Sequence, residues 1–533
     1  MESMGKFRAL LSVNLRAVLL SSSGSRGRGR RRMTGTGMLI LIVILCLYLS
    51  GIYSFAFAAQ LAPVGMLDLL LLLMPVLVVV MGTMYTVMGV QGVVFGGKDN
   101  DLMLALPVPA FELLLARVMA LVLENLVFSC MILLPAGLAY TVFGGGGGIG
   151  FWLRLLIGAV GLSLFPTVLA LILGLGFCWV SSRFERGRAL LRNLLYLVFF
   201  CGILLFALQA NGLIVSLSEH AAGIEAHFSG WGVPFILFQR GVCGSVPELL
   251  GMLVLFLLIF LLVIWVFGRQ YQSLLTALTV QSARSDYRLK RQNSIGQRRS
   301  LLKKEARRFF TSTMYLFNAG SGLILLLLGS GGILVKGRDI RLVFGQLGGA
   351  APLTPMLALA GLFCLSVSAV SASSISLEGR SLWILKESPV DSHTVLSTKW
   401  IFQLLLTMPC ILISTAAAVL GCGLTWWQGG ALLAVLTAFA LFHAPFGVYI
   451  NLCFPKLDAP NDTVVVKQSA ASLLGTFLPM LLPGLGVLLY GIWGGTWGEE
   501  TVMWLFAVLE LAAAMICIRL LNTSGVKLLH ELN

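Results

Sequence analysis

Apolar residues in this chain of 533 amino acids gather in long runs, and the short polar segments between them hold most of the charges. The runs are about 18–25 residues long, the length that an α-helix needs to cross a bilayer. They do not alternate between apolar and polar positions, as the strands of a membrane barrel would. The predicted spans are 37–60, 66–88, 114–141, 151–180, 193–217, 249–267, 314–335, 352–375, 400–422, 432–454, 473–493 and 501–521. The pattern predicts an all-α polytopic membrane protein with about twelve transmembrane helices.

The composition indicates that lipid is the solvent of this chain. Hydrophobic residues make up 58% of it, charged residues only 11%, and the mean hydropathy is +0.95. A soluble chain would carry about 25% charged residues. Because backbone groups in hydrocarbon must pair with one another, apolar runs of this length fold as helices. These values exclude a set of soluble domains, which the length alone would allow.

The net charge of +15 comes from basic residues between the spans. They form no basic folded domain, so nucleic acid is not an expected partner, and the run from Arg26 to Arg32 is typical of an anchor facing anionic lipid. With the N-terminus inside, all but five of the 37 lysines and arginines are cytoplasmic, which predicts that both termini are cytoplasmic. The cluster Lys336, Arg338 and Arg341 departs from this bias. The expected location is a cell membrane, the bacterial plasma membrane in the simplest case.

The ten cysteines are scattered, with no Cys-x-x-Cys pair and no cluster with histidine. This spacing predicts neither a metal site nor a disulfide framework. Two readings of Cys243 and Cys422 stay open, a bridge between them or separate packing thiols.

The chain contains an internal repeat, in which a shift of 282 residues overlays the loop after the second span on the loop after the eighth. The matched pairs include Gly97 with Gly379, Lys98 with Arg380, Pro107 with Pro389, Val108 with Val390 and Arg117 with Lys399. Each loop is predicted to form a short amphipathic helix that ends at its proline. Its apolar face must be buried on a partner, on its own loop or in the lipid headgroups, and these alternatives stay open. Six spans per half, with both halves starting inside, make the two repeats parallel. The predicted domains are a first repeat in 1–267, a basic linker with a connecting helix in 268–310, and a second repeat in 311–533.

These motifs resemble those of the type-2 ABC exporter permeases, whose membrane subunit works with a separate ATPase. The resemblance rests on four segments: the repeated loop from Gly97 to Arg117, its second copy from Glu378 to Lys399, the stretch from Lys304 to Phe310 with Tyr315 and Asn318, and the stretch from Asn451 to Asp458. The last of these is similar to fused, twelve-span exporters of this class.

The resemblance implies that the two repeated loops are coupling helices. Their ATPase-coupling residues would be Lys98, Asp99, Asp101, Pro107, Arg117, Glu378, Arg380, Pro389, Asp391 and Lys399. Two copies of a cytosolic ATPase would bind there, and ATP and magnesium would belong to those partners. The chain itself would be no enzyme and carry no cofactor, and it would export an unknown substrate.

One segment imitates a phosphate-binding loop. Residues 92–98 have the Gly-x4-Gly-Lys spacing, but Asp99 stands where a Ser or Thr must ligate magnesium, and a predicted span precedes the motif instead of a strand. We therefore expect no nucleotide site in this segment.

Five polar residues inside the predicted spans are candidates for a substrate path: Glu124, Asn125, Gln403, His443 and Glu510. A carboxylate at mid-bilayer costs about 2.5–3.5 kcal/mol, so each should have a partner or a wet cavity. The competing interpretation is a set of hydrogen bonds between helices. An alternative function is a secondary transporter of the major-facilitator type, driven by an ion gradient.

Overall fold

The computed structural model describes residues 35–90, 93–94, 109–182, 191–202, 232–283, 296–346, 352–459 and 462–532. Within these ranges the chain is helical and contains no strand, which confirms the all-α polytopic fold class. It divides into two compact units, with the boundary between Arg288 and Leu289. The segment predicted as a linker, 268–310, is divided between them. Residues 268–283 extend the last helix of the first unit, and residues 297–310 belong to a helix of the second.

The first unit is a bundle of long apolar helices around one core. Its helices are α1 (Gly35–Leu61), α2 (Asp68–Val90), α3 (Ala110–Val142), α4 (Ile149–Ser182), α5 (Leu191–Gly202), α6 (Val233–Cys243) and α7 (Val246–Ala283). The core takes one fully buried side chain from each of five helices: Leu70, Leu133, Leu162, Phe238 and Met252. Because lipid is as apolar as these side chains, van der Waals packing and not transfer from water holds this core together.

The short helix α6 was not among the predicted spans, because its 11 residues are too few to cross a bilayer. It packs against α7 in a tight hairpin. A Cβ added at Gly241 would lie 2.7 Å from the Cβ of Leu249, so this close approach requires glycine.

The second unit contains more helices than the first within the described residues. Its helices are α8 (Gln297–Thr311), α9 (Thr313–Ala319), α10 (Ser321–Gln346), α11 (Leu353–Val367), α12 (Leu382–Glu387), α13 (Ser392–Cys422), α14 (Trp426–Cys453), α15 (Asp462–Gln468), α16 (Ala470–Phe477), α17 (Leu481–Trp497), α18 (Glu499–Leu520) and α19 (Val526–Glu531). Its main core contains five buried apolar side chains from five helices: Leu326, Leu362, Ile411, Leu436 and Phe506.

Every predicted span coincides at least in part with a helix. Among the described residues, nine segments are long and apolar enough to cross a membrane, and the bent pair α9–α10 makes a tenth. Helices α1 and α5 lie at the places of the first and fifth predicted spans.

Three predicted spans are interrupted. The seventh, 314–335, bends by 58° at Gly320, between α9 and α10. The eighth, 352–375, is an α-helix only as far as Val367 and continues as 3-10 turns at Ser371–Ser373 and Ser376–Ser381. Its serine side chains compete for backbone hydrogen bonds, which weakens a regular helix. The eleventh, 473–493, breaks between α16 and α17, where Pro479 removes a backbone donor.

Two of the five cations that the charge bias leaves on the predicted external side serve as helix caps. Arg341 donates from Nη1 to the carbonyl oxygens of Cys422 and Gly423 at the end of α13, over 3.1 and 2.9 Å. Arg154 donates from Nε to the carbonyl of Val242 near the end of α6, over 3.0 Å. The last carbonyls of a helix lack intrahelical partners and carry a partial negative charge, and these arginines supply both the hydrogen bonds and the positive charge.

Candidate functional site

The second copy of the repeated loop contains the short helix α12, with an exposed outer side and a buried inner side. On the outer side the side chains of Trp383 and Ile384 are 63% and 55% exposed. On the inner side Leu382 packs with Leu396 and Leu529 in an apolar cluster. The helix ends at Glu387, because Ser388 precedes proline and is extended.

The C-terminal helix α19 packs against the inner side of this loop. The Lys386 ammonium donates to the carbonyl of His530 over 3.1 Å, and the Ser392 hydroxyl lies 3.2 Å from His530 Nε2. Leu528 and Leu529 complete the contact. The loop is therefore packed on its own unit, except for its outer side.

The loop residues predicted to couple to an ATPase divide into a surface set and a buried set. Arg380 is exposed and lies 3.9 Å from the exposed carboxylate of Asp458. The Pro389 carbonyl accepts a hydrogen bond from Gln297 of α8, and Asp391 is the N-cap residue of α13. Glu378 and Lys399, by contrast, are buried.

Glu378 and Lys399 belong to a buried ionic cluster that joins three elements. The Lys399 ammonium contacts Glu305 Oε1 of α8 at 2.8 Å and Glu378 Oε1 at 3.0 Å. Glu378 Oε2 also accepts from Lys304 at 2.8 Å and from Arg308 at 3.0 Å. The connecting helix, the broken eighth span and the ninth span therefore meet at these side chains.

The interior of this cluster is nearly closed to solvent. Glu378, Lys399 and Glu305 have side chains that are 1%, 2% and 5% exposed. Burial alone would lower the pKa of Arg308, but hydrogen bonding and the charge of Glu378 outweigh it and raise that pKa above its ordinary value. Buried ion pairs contribute more to a fixed geometry than to net stability. The cluster fixes where the loop sits relative to the two spans.

The first unit has an anchor at the matching repeat position. Arg117 is buried and donates from Nη1 to the carbonyl of Val94 and to the Tyr271 hydroxyl, both over 3.1 Å. Lys399 likewise donates to a carbonyl near the end of its preceding span, that of Ser374, over 2.9 Å. The other coupling residues of the first loop, Lys98, Asp99, Asp101 and Pro107, lie outside the described residues, as does most of the segment that imitates a phosphate loop.

Two amide side chains join helices inside the bundles. Gln403 of α13 accepts from the backbone N–H of Ser371 at 2.7 Å and lies 3.1 Å from His443 Nδ1 of α14. The other ring nitrogen of His443 lies 2.9 Å from the Gly475 carbonyl. In the first unit, Asn125 of α3 donates to Thr86 of α2 and Thr167 of α4 at 2.8 and 2.9 Å. In each unit an amide on the third span therefore links the second and fourth spans.

The two acidic candidates for a substrate path lie on different helices and differ in burial. Glu124 is half-buried on α3. Glu510 of α18 is 1% exposed, and neither carboxylate oxygen has a hydrogen-bond partner among the described residues. Asn125, Gln403 and His443 thus make hydrogen bonds between helices, whereas Glu510 makes none within the described structure.

Sequence reasoning did not select several residues that hold the broken eighth span. Asn451 accepts from the backbone N–H groups of Ile375 and Ser376 at 2.8 and 2.9 Å. The Tyr315 hydroxyl donates to the Val370 carbonyl over 2.8 Å. Both residues lie in segments that resemble the exporters, but polar groups needed by an irregular backbone are recognisable only when the break is known.

Among the described residues, no group of three or more His, Cys, Asp or Glu side chains is arranged to hold a metal ion. Cys243 and Cys422 both carry free thiols.

The fold and these helix-joining contacts define the class as a multi-span, transporter-like α-helical membrane protein. The chain belongs to a family described as membrane proteins of 12 transmembrane segments, whose profile matches residues 32–442. No curated protein and no solved structure matches the chain.

Proposed function

We propose that this chain is the permease subunit of an ATP-driven exporter and that its repeated loops receive motion from separate cytosolic ATPase subunits. The observation that carries the proposal is the construction of the second loop. Its outer side leaves Trp383 and Ile384 uncovered by the rest of the described chain, while Glu378 on the same loop is tied to the ninth span through Lys399. A force on the outer side of α12 would pass to the spans without first being absorbed by a mobile loop.

The exposed side chains fit a docking surface. Large apolar residues such as Trp383 and Ile384 at the end of a span are unusual on a surface that meets only water. Tryptophan and arginine are also the residues that dominate binding energy at protein interfaces. Arg380, 90% exposed, lies on the same loop.

The test is co-purification of the full chain with its cytosolic ATPase. We expect W383A/R380E to reduce ATPase recovery at least tenfold, because loss of a central aromatic and an opposed charge together cost about 2 kcal/mol or more. A matched control, W426A/R338E, alters an exposed tryptophan and an exposed arginine on the opposite, external side. Unchanged ATPase recovery by W383A/R380E would contradict the docking assignment.

The first loop supplies a second test, of stoichiometry. If both repeats bind an ATPase, P107A/K98E should halve the ATPase copies per chain, and combining it with W383A/R380E should remove both. Native mass spectrometry of the complexes counts the copies directly.

One observation favours the alternative, a secondary transporter driven by an ion gradient. Glu510 is a buried carboxyl group in a span and has no hydrogen-bond partner among the described residues, as is typical of proton-carrying sites in transporters. Transport by the purified chain in vesicles, without ATP or any partner and abolished by Glu510→Gln, would support this function over the first.

A further inference from the structure

Five of the six basic residues of the connecting helix α8 fall into two sets with different surroundings, and the sixth, Arg298, is exposed in its first turn. Lys304 and Arg308 face inward and are neutralised by Glu378. Arg299, Lys303 and Arg307 are exposed, and their side chains form no ion pair or hydrogen bond with any described residue. The charge on the inner side is satisfied within the protein, and the charge on the outer side is not.

The outer three cations form a single stripe. Their spacing of four residues places them on one side of the helix, about 6 Å apart along its axis. Phe310, 45% exposed, falls in the same arc of about 80°. On the opposite side Glu305 and Phe309 are buried against the unit.

The position of the stripe indicates what kind of anion it meets. Helix α8 ends at Thr311, and after the single residue Ser312 the chain enters the bent seventh span at Thr313. Phe310 therefore lies within about one helical turn of the start of a span, and Arg307 within about two. At that depth the surrounding phase is the lipid headgroup layer, where aromatic rings and basic side chains are both stabilised.

We propose that the outer face of α8, formed by Arg299, Lys303, Arg307 and Phe310, binds the phosphate headgroups of anionic phospholipids. The cations supply the charge complement, and Phe310 packs at the boundary between headgroups and acyl chains. The site is separate from the docking surface on α12 and does not depend on the proposed transport mechanism. Through Lys304 and Arg308, the same helix links bound lipid to the buried cluster around Glu378.

The test uses the full chain, delipidated in mild detergent, with phosphatidylglycerol and phosphatidylcholine of identical acyl chains as probes. Native mass spectrometry measures the association of each lipid. We expect the wild type to prefer phosphatidylglycerol and R299Q/K303Q/R307Q to lower its association constant on the order of a hundredfold, since each of the three lost charges contributes about 1 kcal/mol near such a surface. Binding of phosphatidylcholine should not change.

The control K336Q/R338Q/K527Q removes the same amount of charge from three exposed sites elsewhere in the second unit. It should retain the wild-type preference, and so should R299K/R307K, because phosphate accepts a lysine as a point charge. Equal losses in both triple variants would reduce the effect to net charge and overturn the proposal. A wild type without lipid preference would also overturn the proposal. So would an R299Q/K303Q/R307Q variant that keeps the lipid preference but no longer binds the cytosolic ATPase, because that result would indicate an acidic protein surface as the partner.

Discussion

Arg117 in the first unit and Lys399 in the second occupy the same repeat position, and each fixes the end of the span before it. Arg117 reaches a carbonyl 23 residues upstream and Lys399 one 25 residues upstream. They differ in what else they bind: Arg117 meets Tyr271 of α7, whereas Lys399 meets Glu305 of the connecting helix. The two repeats share a basic residue that holds the end of the preceding span, but this residue contacts a different helix in each unit.

The amide bridges show the same relation. Asn125 and Gln403 each join three consecutive spans, but Asn125 binds hydroxyl groups and Gln403 binds a backbone N–H at a helix break. A hydroxyl can rotate to another partner, and a backbone N–H in a broken span cannot. The backbone hydrogen bonds of the broken span in the second unit therefore depend on specific side chains.

The largest effect is expected from Lys399→Met, which leaves the buried carboxylates of Glu305 and Glu378 without their shared cation. Loss of one partner from a buried pair costs about 3–5 kcal/mol. Thermal unfolding of the purified protein measures the loss. Lys304→Met, at the more exposed rim of the same cluster, should cost about 1 kcal/mol or less. Equal effects of the two changes would contradict the buried role of Lys399.

Arg117→Met should destabilise the first unit less, by about 2–3 kcal/mol, because it removes charged hydrogen bonds from a carbonyl and a hydroxyl. Tyr271→Phe serves as its control: it removes only the hydroxyl and should cost about 1 kcal/mol. Denaturation in detergent with increasing SDS gives both values. If Arg117→Met were as damaging as Lys399→Met, the two anchors would be equivalent and the contrast between the units would fail.

Gln403→Leu should cost about 1–3 kcal/mol, because it leaves the buried N–H of Ser371 without an acceptor. Asn125→Leu should cost less, about 0.6 kcal/mol and at most 1.7, the range for hydrogen bonds between membrane helices. Stability measurements on both variants under one condition test the order. A larger loss for Asn125→Leu would reverse the conclusion about the broken span.

The smallest effects are expected at the two arginine caps. Arg341→Gln and Arg154→Gln each weaken the interaction of a cation with the end of a helix, by about 0.3–1 kcal/mol at low salt. Screening should reduce both effects as the salt concentration rises. Melting temperatures measured across a salt series test this, with Lys336→Gln as a control that should show no change.

The positions of the spans could be predicted from the sequence because hydrocarbon imposes a length and an apolar composition on every helix. The repeat also paired Arg117 with Lys399, and both are buried and donate to a carbonyl near the end of the preceding span, whereas their role in ATPase coupling stays a prediction. The sequence did not reveal the breaks in the seventh, eighth and eleventh spans, because Gly320, the serines around Ser371 and Pro479 each lie within a run that is apolar overall. Nor did it pair Glu378 with Lys304 and Arg308, which lie 74 and 70 residues away.

The apolar runs, the charge bias and the 282-residue repeat alone determined that the chain is an all-α membrane protein. Only the tertiary structure decided that Glu378 and Lys399 are buried while Trp383 and Ile384 face outward. The reason is physical: hydropathy acts on each segment separately, so it can be read locally. The partner of a buried charge is set by three elements that meet only when the unit has packed, and the ions Lys399, Glu305 and Glu378 are stable there only together.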